Sequence, residues 1–216
     1  GISYEERDDD GNTILMEVSR KGHVITKNKL IEEWNLDNDI KNKKEQNWLL
    51  IDVENGYESV CELLLDKGAD INQINKSDET LFQVACQYNQ VSVCKLLLNK
   101  GVDINKTNYN GDIPLHIVSQ NGNESICKLL LSDERVDVNQ SNDYGSTPFY
   151  VAAKYGNESI CKLLLSDERI DVNQVDDSGW TALHIASTHG HEKVCKLLLD
   201  NGANIHLIDG SGHTPF

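Results

Sequence analysis

Long hydrophobic runs are missing from this sequence. No stretch of about 18 consecutive apolar residues occurs, which excludes reading any segment as a membrane-crossing helix. Positive charge is also scarce: 20 Lys and Arg stand against 35 Asp and Glu, a formal charge of −15. Such a surface repels nucleic acid and anionic lipid, so neither nucleic-acid binding nor membrane insertion is expected. The basic run Lys41-Asn42-Lys43-Lys44 is too short to reverse that balance. An initiator methionine and an apolar leader are missing too, since Gly1–Gly11 is polar and acidic. The expectation is an excised segment, or a tag remnant at Gly1, of a cytoplasmic protein without a secretory signal.

Signatures of chemistry are equally sparse. There is no phosphate-binding Gly-rich loop after a strand, no HExxH and no nucleophile elbow. Gly210-Ser211-Gly212 reads as a turn. His184, His189 and His191 are the only histidines with metal-like density. They straddle a helix end and its cap, with no cysteine placed to join them, so no metal site is assigned. The chain is expected to be a non-enzyme without a cofactor. It is still no disordered polymer, because 38% of its residues are apolar.

What the chain does contain is repetition. GNESICKLLLSDER occurs at Gly122–Arg135 and again at Gly156–Arg169, 34 positions on. Its opening glycine belongs to the series Gly22, Gly56, Asn89, Gly122, Gly156 and Gly190. Eleven residues before each stands a second marker: Gly11, Glu45, Asp78, Gly111, Gly145 and Gly179, with Gly212 continuing the series. A period of 33 or 34 residues is the mark of a repeat architecture. In two units an inserted residue after the leucine run, as in LLLSDER-VDVN, stretches the loop and leaves the helices unchanged.

Each unit reads as two short helices and a turn. Thr147-Pro148 and Thr214-Pro215 supply a capping oxygen and then a proline whose missing N–H costs nothing there. Thr13, Thr80 and Thr181 cap without proline. First helices such as Pro148–Tyr155 stop at a glycine suited to a left-handed cap, and Asn89 is the most tolerant substitute. Second helices, such as Ser159–Leu165 or Val24–Glu33, follow. The first of these is apolar nearly all round and must be covered on several sides.

Cysteine follows the same rhythm. Cys61, Cys94, Cys127, Cys161 and Cys195 lie 33, 33, 34 and 34 residues apart. Packed helices are roughly 8–10 Å apart, and a disulfide needs Cα atoms within about 7 Å. The ladder, with Cys86 outside it, therefore reads as small buried thiols in a reducing compartment.

Gly179-Trp-Thr-Ala-Leu-His-Ile-Ala, then Gly190-His, Val194-Cys-Lys-Leu-Leu-Leu and Gly202-Ala-Asn-Ile, resembles the ankyrin repeat. Gly111-Asp-Ile-Pro-Leu-His-Ile-Val resembles it as well. The resemblance implies an all-α solenoid of stacked helix-turn-helix units joined by hairpin-like turns. A single array over residues 1–216 divides at about 10–43, 44–76, 77–109, 110–143, 144–177, 178–210 and 211–216, the last a truncated seventh unit. Unit one departs with Met16 in place of the usual histidine. Unit two departs with Glu45-Gln-Asn-Trp at its opening and Asp52 where a small apolar residue is usual. The resemblance also implies that His116 and His184 hydrogen-bond between units.

It further implies a protein partner held on the concave face of turn tips and first helices. There the candidate binding residues are Tyr88, Tyr109, Asp112, Asp143, Tyr144, Lys154, Tyr155, Asp177, Trp180 and His189. Half of them are Tyr or Trp, the usual anchors of interfaces. The acidic tips favour a partner with a basic patch. The expectation is a monomeric interaction scaffold; the competing reading is a regulatory or targeting array of a larger enzyme, channel or effector.

If the thiols are free, alkylation of denatured, unreduced protein adds a label to all six cysteines. Intact-mass spectrometry that found fewer labels would contradict the reading.

Overall fold

A computed structural model describes residues 6–33, 40–43 and 46–216 of the chain. The marker Glu45 and Lys44 of the basic run lie outside the described residues. The chain divides into two compact units, residues 1–103 and 104–216. In the first, α1 (Ile14–Arg20) pairs with α2 (Val24–Glu33), α3 (Trp48–Asn55) with α4 (Glu58–Asp66), and α5 (Leu81–Gln87) with α6 (Val91–Asn99). In the second, α7 (Pro114–Asn121) pairs with α8 (Glu124–Leu131), α9 (Pro148–Lys154) with α10 (Glu158–Leu165), and α11 (Ala182–Thr188) with α12 (Glu192–Asp200). Among the described residues there are no strands, only isolated bridges at Arg7/Thr13 and Ile74/Thr80. No helix there is long and apolar enough to cross a membrane.

Packing is by layers within each unit. First helices touch first helices (α1 with α3, α3 with α5; α7 with α9, α9 with α11). Second helices do likewise (α2 with α4, α4 with α6; α8 with α10, α10 with α12). The leucine triplets show why. Their central members Leu64, Leu97, Leu130, Leu164 and Leu198 are at most 1% exposed, while most of the flanking leucines are half-buried. Burial of one leucine side chain stabilises by about 1.5–3 kcal/mol, and no isolated helix pair could provide that cover. Cys61, Cys94, Cys127 and Cys161 are buried beside the triplets as thiols, outside any disulfide; Cys195 is half-buried.

The caps are local. The hydroxyls of Thr13, Thr80, Thr147 and Thr181 each accept a backbone N–H three residues on. Asn47 caps α3 the same way, at 3.0 Å from the Leu50 N–H. Thr13 also reaches beyond its own helix, for its Oγ1 accepts the indole N–H of buried Trp48 at 2.9 Å and ties α3 to α1. Helices α8 and α10 end one residue earlier than α4, α6 and α12, so the insertion does touch the helix end. There Ser132 and Ser166 stand at the C-cap, each donating its hydroxyl to a carbonyl of the last turn.

The described marker residues take the left-handed conformation. Asp78 (φ 54°) and Asn89 (φ 57°) do so without being glycine, and short polar side chains tolerate it best. At Gly145 the need is double: φ is 72°, and a Cβ would lie 2.5 Å from the Asp177 amide nitrogen of the next tip.

The first unit hides an ion pair. Lys27 on α2 reaches Asp52 on α3 at 2.5 Å, and both side chains are almost wholly buried. Lys27 also donates to Ser19 Oγ on α1, whose hydroxyl in turn donates to the Leu15 carbonyl. Desolvation drives the Lys27 pKa down and the Asp52 pKa up, while each partner's charge opposes the shift. The unusual Asp52 is thus the counter-charge of a lysine from the preceding helix pair. Removing one member strands a buried charge, which typically costs about 3–5 kcal/mol. Asp52→Ala is expected to lose that much in urea unfolding, and Lys27→Met/Asp52→Leu far less. Equal losses would show that the pairing is not what matters there.

Candidate functional site

The turn tips are built by one repeated side chain. Asp8, Asn75, Asn108, Asn142, Asp176 and Asp209 stand three residues before a marker, and each turns Oδ1 onto two backbone N–H groups, two and four residues on. Asn42 Oδ1 accepts from Gln46 in the same register. These bonds span 2.8–3.0 Å and satisfy the tip backbone locally. In the second unit each tip also bonds the next: Asp143 N–H to the Asn110 carbonyl (3.0 Å), Asp177 N–H to Tyr144 (3.4 Å) and Gly210 N–H to Ser178 (2.8 Å).

Between these tips and helices α7 and α9 lies a groove of about 490 Å³. Asp112, Asp143, Tyr144, Lys154, Tyr155 and Asp177 all line it. Tyr144, on a tip, is 63% exposed and Tyr155, at the end of α9, 49%. The Lys154 ammonium stands 6.0 Å from the Tyr155 ring centroid, within cation–π reach. Asp112 Oδ1 accepts from the Asn142 amide at 2.7 Å.

The other four candidates stand apart. Tyr109, exposed at its tip, does not line the groove. Tyr88 closes α5 in the first unit and is exposed there. The negative charge of Glu54 pushes its phenol pKa up, helped by partial burial and by Glu79. Trp180 is half-buried, and its indole N–H donates to Asp209 at 3.1 Å, so it braces a tip. His189 is exposed; its ring stacks 5.9 Å from that of His191, and its Nδ1–H donates to the Ile185 carbonyl. Groups of three or more His, Cys, Asp or Glu able to hold a metal are absent among the described residues. His184, one of the dense trio, spends both ring nitrogens on Thr181 and on the His213 carbonyl.

Two groove residues escape sequence reasoning. Tyr150 is buried on α9 and its phenol hydrogen-bonds the Asp176 carboxylate. Burial first, and then the adjacent negative charge, raises its pKa. Tyr150 carries no signal that separates it from a core aromatic. Asp176 does: it belongs to the series of Asp and Asn three before each marker.

His116, also in the groove wall, is fixed by two bonds. Its Nδ1 accepts the Ile113 N–H at 3.1 Å, so Nε2 carries the proton donated to the Ser146 carbonyl at 2.9 Å. The inter-unit role implied for this histidine is therefore present, and His184 repeats it. In α5 the same place is held by Gln83, whose Oε1 accepts the Thr80 N–H at 2.8 Å.

The family's sequence profile, described as ankyrin repeats (3 copies), matches residues 49–142 and 115–209. That is more than half of the chain, and the chain belongs to the ankyrin-repeat family. Its fold is similar to the ankyrin repeat domain of Bcl-3, a member of the IkappaB protein family: TM-score 0.82, 26% identity, 96% of this chain and 93% of that one covered. It is similar also to EF0377, an ankyrin repeat protein, at TM-score 0.70 and 30% identity over 77% of this chain and 87% of that one. The human ASB11 ankyrin repeat domain matches in fold, with TM-score 0.84 at 22% identity, covering 94% and 90%. No match was found among curated proteins.

Burial holds the His116 pKa below its ordinary value. The unfolded chain therefore takes up this proton first as pH falls, so stability present above about pH 6.5 is lost on acidification. His116→Gln, which keeps the Nδ1 acceptor in the form that Gln83 uses, is expected to flatten that loss. Urea midpoints between about pH 7 and pH 5 measure it; parallel curves for variant and parent would refute the assignment.

Proposed function

We propose that the chain is a non-catalytic protein-interaction scaffold that holds a protein partner in the groove of its second unit, acting as a monomer. Ankyrin-repeat domains are generally protein–protein interaction modules. One observation carries the finer reading: residues from three successive tips and two helix ends converge on one groove whose two large aromatics are about half exposed or more. Exposed tyrosine in a concavity offers contact area at little entropic cost. The carboxylates of Asp112, Asp143 and Asp177 favour a partner with a basic patch, chiefly by steering its approach. The repeat divisions, from about 10–43 to the start of a seventh unit at 211–216, belong to the same reading.

Partner capture tests it. Tyr144→Ala with Tyr155→Ala is expected to lose the proteins retained by the parent chain, with the helical circular-dichroism signal intact. Retention of the same proteins by this folded variant would remove the groove from consideration.

A further inference from the structure

Four carboxylates line the groove (Asp112, Asp143, Asp176 and Asp177), and Lys154 brings a positive charge to its wall. Two of the four carboxylates are already engaged. Asp112 accepts from Asn142, and Asp176 from two backbone N–H groups and the Tyr150 phenol. Asp143 and Asp177 differ: both are exposed, and no ion pair among the described residues includes either. They sit on successive tips, with Tyr144 next to Asp143 in the chain and hydrogen-bonded through its carbonyl to the Asp177 amide. An exposed aromatic residue thus lines the same groove as two carboxylates that are in no ion pair among the described residues.

The geometry points to an arginine side chain of the protein partner as the group this groove accepts. This deepens the reading of the groove as a protein-binding site and rests on it. A guanidinium has a flat face that stacks on a phenol and an edge of N–H donors that meets a carboxylate in pairs. Tyr144 supplies the face, Asp143 and Asp177 the edge acceptors. The Lys154 ammonium stands 6.0 Å from the Tyr155 ring, so Tyr144 is the aromatic face left for an incoming cation. The volume lies within the range of about 300–1,000 Å³ typical of ligand sites, enough for one long side chain and its flanking backbone. An ammonium would satisfy the charge but has no plane to lay against Tyr144.

The test uses the full chain and the capped peptide acetyl-Gly-Gly-Arg-Gly-Gly-amide. Its citrulline and lysine counterparts are the controls, followed by amide chemical shifts. The expected result is saturable shifts confined to residues around Tyr144, Tyr155, Asp143 and Asp177. Lysine should bind several-fold more weakly and citrulline not saturate. Asp143→Asn with Asp177→Asn should weaken arginine binding at least tenfold while leaving the amide spectrum that of a folded chain. Absence of saturable shifts, or equal response to citrulline or lysine, overturns the inference. If that happens while Tyr144→Ala/Tyr155→Ala still abolishes partner capture, the interaction reading stands and only the arginine assignment falls. If capture is also unchanged, both fall.

Discussion

Everything in each unit depends on one constraint: a leucine on a second helix can be kept from water only by the neighbouring helix pair. Leu64, Leu97, Leu130, Leu164 and Leu198 are enclosed in this way. The periodic cysteine fits the same constraint, since a small thiol fills the space beside each leucine without demanding a partner. Because contacts run only to neighbours, stability is a chain of local interfaces and not one central core. A fault in one interface is felt there first.

That locality explains how the chain tolerates Lys27 and Asp52 in a place the repeat fills with small apolar residues. Both groups belong to one interface, and each supplies the charge that the other's burial requires. Apolar packing often stabilises as much as such a pair does, but losing either partner leaves a buried charge uncompensated. The first two helix pairs are in this way matched to each other.

Much of the fold is legible in the sequence because the repeat prints each structural requirement several times. The threonine caps, the left-handed Asn89, the helix at Val24–Glu33 and the thiol ladder all follow from position within the period. Contacts peculiar to one unit are not legible in this way. Asp52 stands out as a departure, but its partner lies 25 residues upstream in a helix with no leucine triplet. Trp180 looks like an exposed anchor, and nothing local foretells its bond to Asp209. Tyr150 looks like core. The serine at the end of α8 and of α10 reads as part of a loop until its hydroxyl is seen on the last helical turn.

The tip series shows how chemistry selects between near-identical residues. Asn and Asp make the same turn with Oδ1, so the turn itself cannot choose between them. The second atom of the side chain can. Asn42, Asn75 and Asn142 face oxygen acceptors and donate to Asn12, Glu79 and Asp112. Asp8, Asp176 and Asp209 face donors and accept from Asn12, the Tyr150 phenol and the Trp180 indole. Each choice leaves one fewer unsatisfied polar group at a tip. Tips braced in this way hold their loops without help from a ligand, so little ordering remains to oppose binding. The carboxylates that brace tips are thereby separated from those of Asp143 and Asp177, which stand outside the bracing series and line the groove.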